Sequence, residues 1–167
     1  MQHRREVITG LGALTPLGNT LQAYWDGLVS GRSGAAPITR FDASRFKTQF
    51  ACEVKGFNPE DFMDRKEARK TDPYAQFALV CADEAIADSG LLSDGLDRER
   101  VGVIWGSGIG GLKTFQDECV NFGRGDGTPR FNPFFIPKMI ADSAAGLISM
   151  KHTLRGPSHV TASACAI

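Results

Sequence analysis

The chain has 167 residues, 42% of them hydrophobic and 23% charged, which is the balance of a soluble globular domain long enough to bury a core. Its 19 basic and 19 acidic residues cancel, so there is no electrostatic case for nucleic acid or an anionic membrane as the main partner. No stretch approaches the roughly 18 consecutive apolar residues of a membrane span, and the basic start Met1-Gln-His-Arg-Arg5 leads into no long apolar run, so a signal peptide is not expected. Cysteines 52, 81, 119 and 165 form no C-x-x-C pair and no zinc spacing, which points to a reducing, cytoplasmic compartment and to no metal. The glycines cluster at 10–12, 106–111 and 123–127, as tight backbone at turns or sites does.

In chain order, Glu6-Val-Ile-Thr9 reads as a first strand broken by Gly10-Leu-Gly12. Thr20 can cap a helix over 21–30, where Leu21, Tyr24, Trp25 and Leu28 recur at helical spacing and Gly31 stops it. Residues 32–60 carry no helical period, with Phe50-Ala-Cys-Glu-Val-Lys55 as a strand inside them. Asp72 followed by Pro73 predicts a helix start. Tyr74, Phe77, Ala78, Cys81 and Ala85 form its apolar stripe, with Cys81 in the core, and Gly90 ends it.

Val101-Gly-Val-Ile-Trp105 reads as a short apolar strand buried on both faces. A helix from about Leu112 turns Phe115 and Cys119 inward, and Gly123–Pro129 is a turn-rich loop. Pro137 opens a further helix through Ile140, Ala144 and Leu147, and a last strand leads to Cys165. Strands alternating with helices give an α/β class with a largely parallel sheet.

Gly106-Ser-Gly-Ile-Gly-Gly111 matches G-x-G-x-x-G between a strand and a helix. A dinucleotide unit needs a second strand ending in an acidic residue, whereas this helix runs into a Gly/Pro loop. The glycines are read instead as backbone that packs tightly or lines a pocket. Cys165 follows a β-prone run through small residues, and a helix starting there would draw its thiol below the usual value of about 8.5. The other reading of such a cysteine is a small buried hydrophobe. His159 lies six residues upstream, roughly 20 Å along an extended strand and beyond reach as its base. Lys66, Arg69 and Lys70 share one helical face, either solvated or a dock for an acidic partner. Pro133-Phe-Phe-Ile-Pro137 is either ordinary core or the wall of a pocket or subunit interface.

Five stretches carry a family likeness in order: Val7-Ile-Thr-Gly-Leu-Gly-Ala-Leu-Thr-Pro-Leu-Gly18, Arg65-Lys-Glu-Ala-Arg-Lys70, Gly106-Ser-Gly-Ile-Gly-Gly111, Asn132-Pro-Phe-Phe-Ile-Pro137, and Arg155-Gly-Pro-Ser158 running on to Ser163-Ala-Cys165. Together they resemble the bacterial β-ketoacyl-acyl carrier protein synthases of type II, among the thiolase-like condensing enzymes. The resemblance implies a thiolase-like layered αβαβα fold, of which residues 1–167 form most of the first, N-terminal half, ending just after the nucleophile. It implies that Cys165 holds an acyl chain and that decarboxylated malonyl carrier protein attacks it, giving a 3-oxoacyl product two carbons longer in fatty acid biosynthesis.

The same resemblance makes Ile109 the acyl-pocket residue, with Phe134 and Phe135 as the wall closed at a homodimer interface. It makes Lys66, Arg69 and Lys70, joined by Arg130, the dock for acyl carrier protein. No cofactor is expected beyond the phosphopantetheine that carries the substrates. The two histidines and the lysine of the family's condensing half have no counterpart in these residues, so the 167 residues alone are expected to be inactive and poorly soluble. Ser163-Ala-Cys165 argues against the chain-length-factor relatives, which lack the nucleophile. Ile167, Thr153 and Leu147 depart from the pattern, standing where a small residue, Gly and His are expected. A non-catalytic carrier-binding protein, a polyketide-type ketosynthase and a nucleotide-binding domain remain as other readings.

Overall fold

The computed structural model describes residues 5–163. The chain falls into two compact units, one comprising the chain up to Asn58 together with Cys81–Leu92, the other Pro59–Val80 and the chain from Ser93 onward.

In the first unit, α1 (Leu21–Val29) starts where expected, with the Thr20 hydroxyl accepting from the Ala23 N–H. The short strands β1 (Ala36–Pro37) and β2 (Phe50–Ala51) pair antiparallel, so the expected strand over 50–55 is reduced to its first two residues. The expected strand over Glu6–Thr9 does not form. Val7 and Ile8 are 69% and 83% exposed, and no described segment pairs with them. β-prone side chains do not make a strand without a partner for the backbone groups.

Gly10 and Gly12 bring the following chain onto the later turns of α3 (Pro73–Ser89). A Cβ on Gly12 would stand 2.0 Å from the Cys81 carbonyl oxygen, and one on Gly10 would stand 2.3 Å from that of Ala85. Acidic side chains of the helix then serve the approaching backbone. Glu84 accepts from the N–H groups of Ala13 and Leu21, both at 2.8 Å, and Asp88 accepts from that of Leu11 at 2.9 Å.

In the second unit, α2 (Arg65–Lys70) is capped by Asp64, whose carboxylate accepts from the N–H groups of Lys66 and Glu67. α3 begins at Pro73 as predicted, but its inward side is broader than the predicted stripe. Ala75, Gln76, Ala78, Leu79 and Val80 are buried, while Tyr74, Phe77, Cys81 and Ala85 are half-buried. A helix apolar on most sides takes its contacts from several directions, and one 3.6-residue stripe does not describe it.

β3 (Val103–Gly106) and β4 (Ser158–Thr161) pair parallel, with Ile104 opposite His159 and Gly106 opposite Thr161. Only one face of β3 is covered: Val103 is buried, whereas Ile104 is 75% exposed. The expectation of burial on both faces fails because this sheet has two strands among the described residues. α4 (Leu112–Arg124) turns Thr114 inward, while Phe115 and Cys119 are exposed, contrary to their expected placement.

The helix predicted from Pro137 is two helices, α5 (Phe135–Met139) and α6 (Ser143–His152), broken at an extended Ile140. Carbonyls at the break are taken by outside donors. The Gly111 N–H donates to Met139 O at 2.8 Å, and the Tyr74 hydroxyl donates to Ile140 O. α6 ends on Thr153 at φ 54°, with the Leu154 N–H returning to Ser149 O at 2.9 Å.

Candidate active site

Parallel pairing sends both strands out of the sheet at the same end, the end where α/β folds collect their ligand sites. From β3 the chain enters the glycine turn 107–111, and from β4 it runs toward Cys165. The pairing continues one step past the strands, because the Ser107 N–H donates to Thr161 O at 2.9 Å. The turn therefore lies beside the end of β4, the strand that precedes Cys165 in the sequence. Cys165 and Ile167 themselves lie outside the described residues.

The turn is held from three sides. Gly110 has φ 87°, and its N–H donates to the Ser107 hydroxyl at 3.0 Å. A Cβ on Gly111 would stand 2.1 Å from Lys138 O, so these glycines let the turn press against α5. The start of α4 is occupied by a buried carboxylate: Asp72 is 2% exposed and accepts through Oδ2 from the N–H and hydroxyl of Thr114, at 2.9 and 2.6 Å. Its Oδ1 accepts from the Tyr74 N–H at 3.2 Å, so one side chain caps two helices. A dinucleotide phosphate would need that helix terminus free, so the occupied cap opposes the nucleotide reading. Ile109 projects from this turn and is 64% exposed.

Phe134 and Phe135 part company. Asn132 shapes the corner, its side chain accepting from the Phe134 N–H and its carbonyl from that of Phe135, both at 2.8 Å. Phe135 joins an aromatic row, 6.3 Å from the Phe115 ring and 5.7 Å from Phe131, which in turn lies 5.6 Å from Phe122. Phe134 lies under Lys70, whose Nζ sits 5.4 Å from the ring centroid.

Lys66, Arg69 and Lys70 line one cavity of about 430 Å³ with Asn132, Pro133 and Phe134. The Lys138 ammonium ties this helix to α5 by donating to Arg69 O at 3.4 Å. Hydrogen bonds from Glu67 and then Lys66 hold the Asp64 carboxyl below the usual carboxylate range, so the α2 cap is charged at neutral pH. Arg130 is not brought to this group. It lines a separate cavity of about 380 Å³ with Arg124 and lies 3.6 Å from Asp126. His159 stands on β4 and His152 ends α6, where its carbonyl accepts from Arg98.

Sequence reasoning saw Asp72 only as a helix start. The further signal was a capping-competent Thr114 in a first turn with no acidic residue of its own.

Residues 4–166 match the family described as β-ketoacyl synthase, N-terminal domain. The chain belongs to this family. A relative, the 3-oxoacyl-[acyl-carrier-protein] synthase 2 of Synechocystis sp., is 46% identical over 166 residues, 99% of this chain and 40% of the relative. The chain thus spans about two-fifths of the length of the curated relatives it matches. Among solved structures, the ishigamide ketosynthase/chain length factor is 29% identical with a TM-score of 0.82, over 93% of this chain and 39% of that one. A type II PKS acyl-carrier protein in complex with its ketosynthase superimposes with a TM-score of 0.70 at 21% identity, over 92% of this chain and 40% of that one. The β-ketoacyl synthase fold is therefore the one seen here, as the thiolase-like expectation had it, represented by its N-terminal part. Among the described residues no helix is long and apolar enough to cross a membrane.

Proposed function

We propose that this chain is the nucleophile-bearing N-terminal part of a 3-oxoacyl-[acyl-carrier-protein] synthase of fatty acid biosynthesis. The observation that carries the reading is the parallel β3–β4 pairing, which sets the glycine turn with Ile109 beside the strand leading to Cys165. Cys165 Sγ attacks the thioester of an acyl carrier protein, forms an acyl-enzyme and releases the carrier's thiol. Malonyl carrier protein then loses carbon dioxide, and its carbanion attacks the acyl-enzyme carbonyl. The Cys165 thiolate leaves, and the product is a 3-oxoacyl carrier protein two carbons longer.

Ile109 bounds the acyl chain, and Phe134 and Phe135 wall the pocket at a homodimer interface. The cationic edge formed by Lys66, Arg69 and Lys70 receives the acidic carrier, as the neutral net charge of the whole chain makes this local excess of cations distinctive. Arg130 serves as a second, separate contact beside Arg124. The substrates bring their own phosphopantetheine, and the reaction takes place in the cytoplasm without another cofactor. The names of the relatives and the carrier complex of a structural neighbour support this partner.

The test is loading of the intact protein with radiolabelled acyl carrier protein, followed by peptide mapping. Label on the Cys165 peptide, lost in Cys165→Ala, is the expected result. Carrier that binds without transferring label would replace this reading with that of a non-catalytic carrier-binding protein.

A further inference from the structure

A cavity of about 300 Å³ in the first unit is lined by Arg32, Lys55, Thr15, Asn19 and Ser33, with the turn 16–18, and shares no residue with the site described above. Two cations line it and no carboxylate does. Neither Arg32 nor Lys55 makes an ion pair among the described residues.

Both cations are held in place by neutral carbonyls. The Arg32 guanidinium donates to Leu17 O at 2.7 Å and to Ala23 O at 3.4 Å, and Lys55 Nζ donates to Gly34 O at 3.2 Å. Gly27, buried in α1, leaves the room this needs: a Cβ there would stand 2.9 Å from a guanidinium nitrogen. Asn19 fixes the other wall, its Nδ2 donating to Lys55 O at 2.9 Å, and leaves its own Oδ1 buried without a partner. The Ser33 hydroxyl accepts from the Ala35 N–H, and its proton has no acceptor among the described residues.

We propose that this cavity binds a phosphoryl oxyanion. Carbonyls orient the two exposed cations but leave them without a carboxylate partner among the described residues. A doubly charged tetrahedral group balances both and accepts from the guanidinium N–H groups that Leu17 and Ala23 leave free, the ammonium and the Ser33 hydroxyl together. A single carboxylate would leave one cation unbalanced. The volume exceeds that of phosphate alone, so a phosphate monoester fits as well as the free ion. This site does not depend on the condensing reading.

The test is calorimetric titration of the intact protein with inorganic phosphate and, separately, glycerol 3-phosphate, at constant ionic strength. Saturable one-to-one binding is expected, weakened about tenfold or more by Arg32→Gln and by Lys55→Gln and unchanged by Arg45→Gln, an exposed cation outside the cavity. Tighter binding of the monoester assigns the organic part to the remaining volume, and equal binding assigns the site to the free ion. No saturable heat with either probe overturns the proposal, as does equal weakening in all three variants. Circular dichroism checks that each variant folds. Arg32→Lys, which keeps the charge but loses the remaining guanidinium donors, is expected to retain partial binding.

Discussion

The carboxylate of Asp72 holds Thr114 by two hydrogen bonds, to its N–H and to its hydroxyl, across 42 residues of chain. That contact fastens the start of α4, and with it the glycine turn, to the start of α3. Asp72→Ala leaves two buried donors unmet and removes the cap of both helices. It should destabilise the protein by about 3 kcal/mol, and Asp72→Asn, which keeps one acceptor, by about 1 kcal/mol. Urea denaturation of the intact protein checks this. An alanine variant with the wild-type midpoint would show that the carboxylate is dispensable.

Gly110 and Gly127 have nearly the same left-handed backbone, φ 87° and 83°, in different surroundings. A Cβ at Gly127 meets nothing within 4 Å, whereas one at Gly110 would stand 2.4 Å from Met139 O. Gly127→Ala should therefore cost about 1 kcal/mol from conformation alone, and Gly110→Ala at least about 2 kcal/mol. Equal losses in thermal or urea melts would mean that the turn does not press on α5.

Thr153 closes α6 with a β-branched residue at φ 54°, in a backbone that favours glycine. Thr153→Gly should stabilise the protein by about 1 kcal/mol, raising the denaturation midpoint. A lowered midpoint would mean that the Thr side chain makes a contact worth more than the strain.

Burial pushes the Cys81 thiol above its ordinary value, whereas Cys52 and Cys119 are exposed. Only the thiolate reacts, so raising the pKa lowers the reactive fraction at a given pH. Iodoacetamide near neutral pH, read by peptide mass, should label Cys52 and Cys119 well before Cys81, and Cys81 should catch up as the pH rises. Early labelling of Cys81 would contradict its burial.

Lys66 and Lys70 line the same cavity, but only Lys70 lies over the Phe134 ring. On the proposed role of α2 as a carrier dock, Lys66→Glu should weaken carrier binding about tenfold and leave stability unchanged, with the difference shrinking at high salt. Lys70→Gln should weaken binding and also cost about 0.5–1 kcal/mol of stability. Fluorescence titration with the carrier protein and a thermal melt separate the two effects. Charge reversal at Lys66 with unchanged affinity would remove α2 from the dock.

Where a residue's role is local, the sequence was readable. Thr20 and the Asp72-Pro73 pair start helices by chemistry contained in a few neighbouring residues, and both starts stand as read. Where the role depends on a distant partner, it was not. Glu6–Thr9 has strand-forming side chains and no strand to pair with among the described residues. The break between α5 and α6 depends on Gly111 and Tyr74 arriving from elsewhere to take carbonyls, which no helical period encodes. The candidate site divides in the same way. The basic face of α2 follows from i, i+3, i+4 spacing, whereas the separation of Arg130 from it, and of Phe134 from Phe135, depends on how the 125–134 segment turns.

The tethering of the glycine turn also bears on how chains of this family can diverge in length. Residues 107–111 are pinned at Thr161, at Met139 and, through Thr114, at Asp72. An inserted residue there would have to break one of these ties or shift the β3–β4 register. The segment 125–130 is exposed, and its glycine at 127 borders open space. Insertions and deletions should therefore accumulate in the second segment and be purged from the first, so that the spacing from Trp105 to Leu112 acts as a ruler while the stretch after α4 is free to drift.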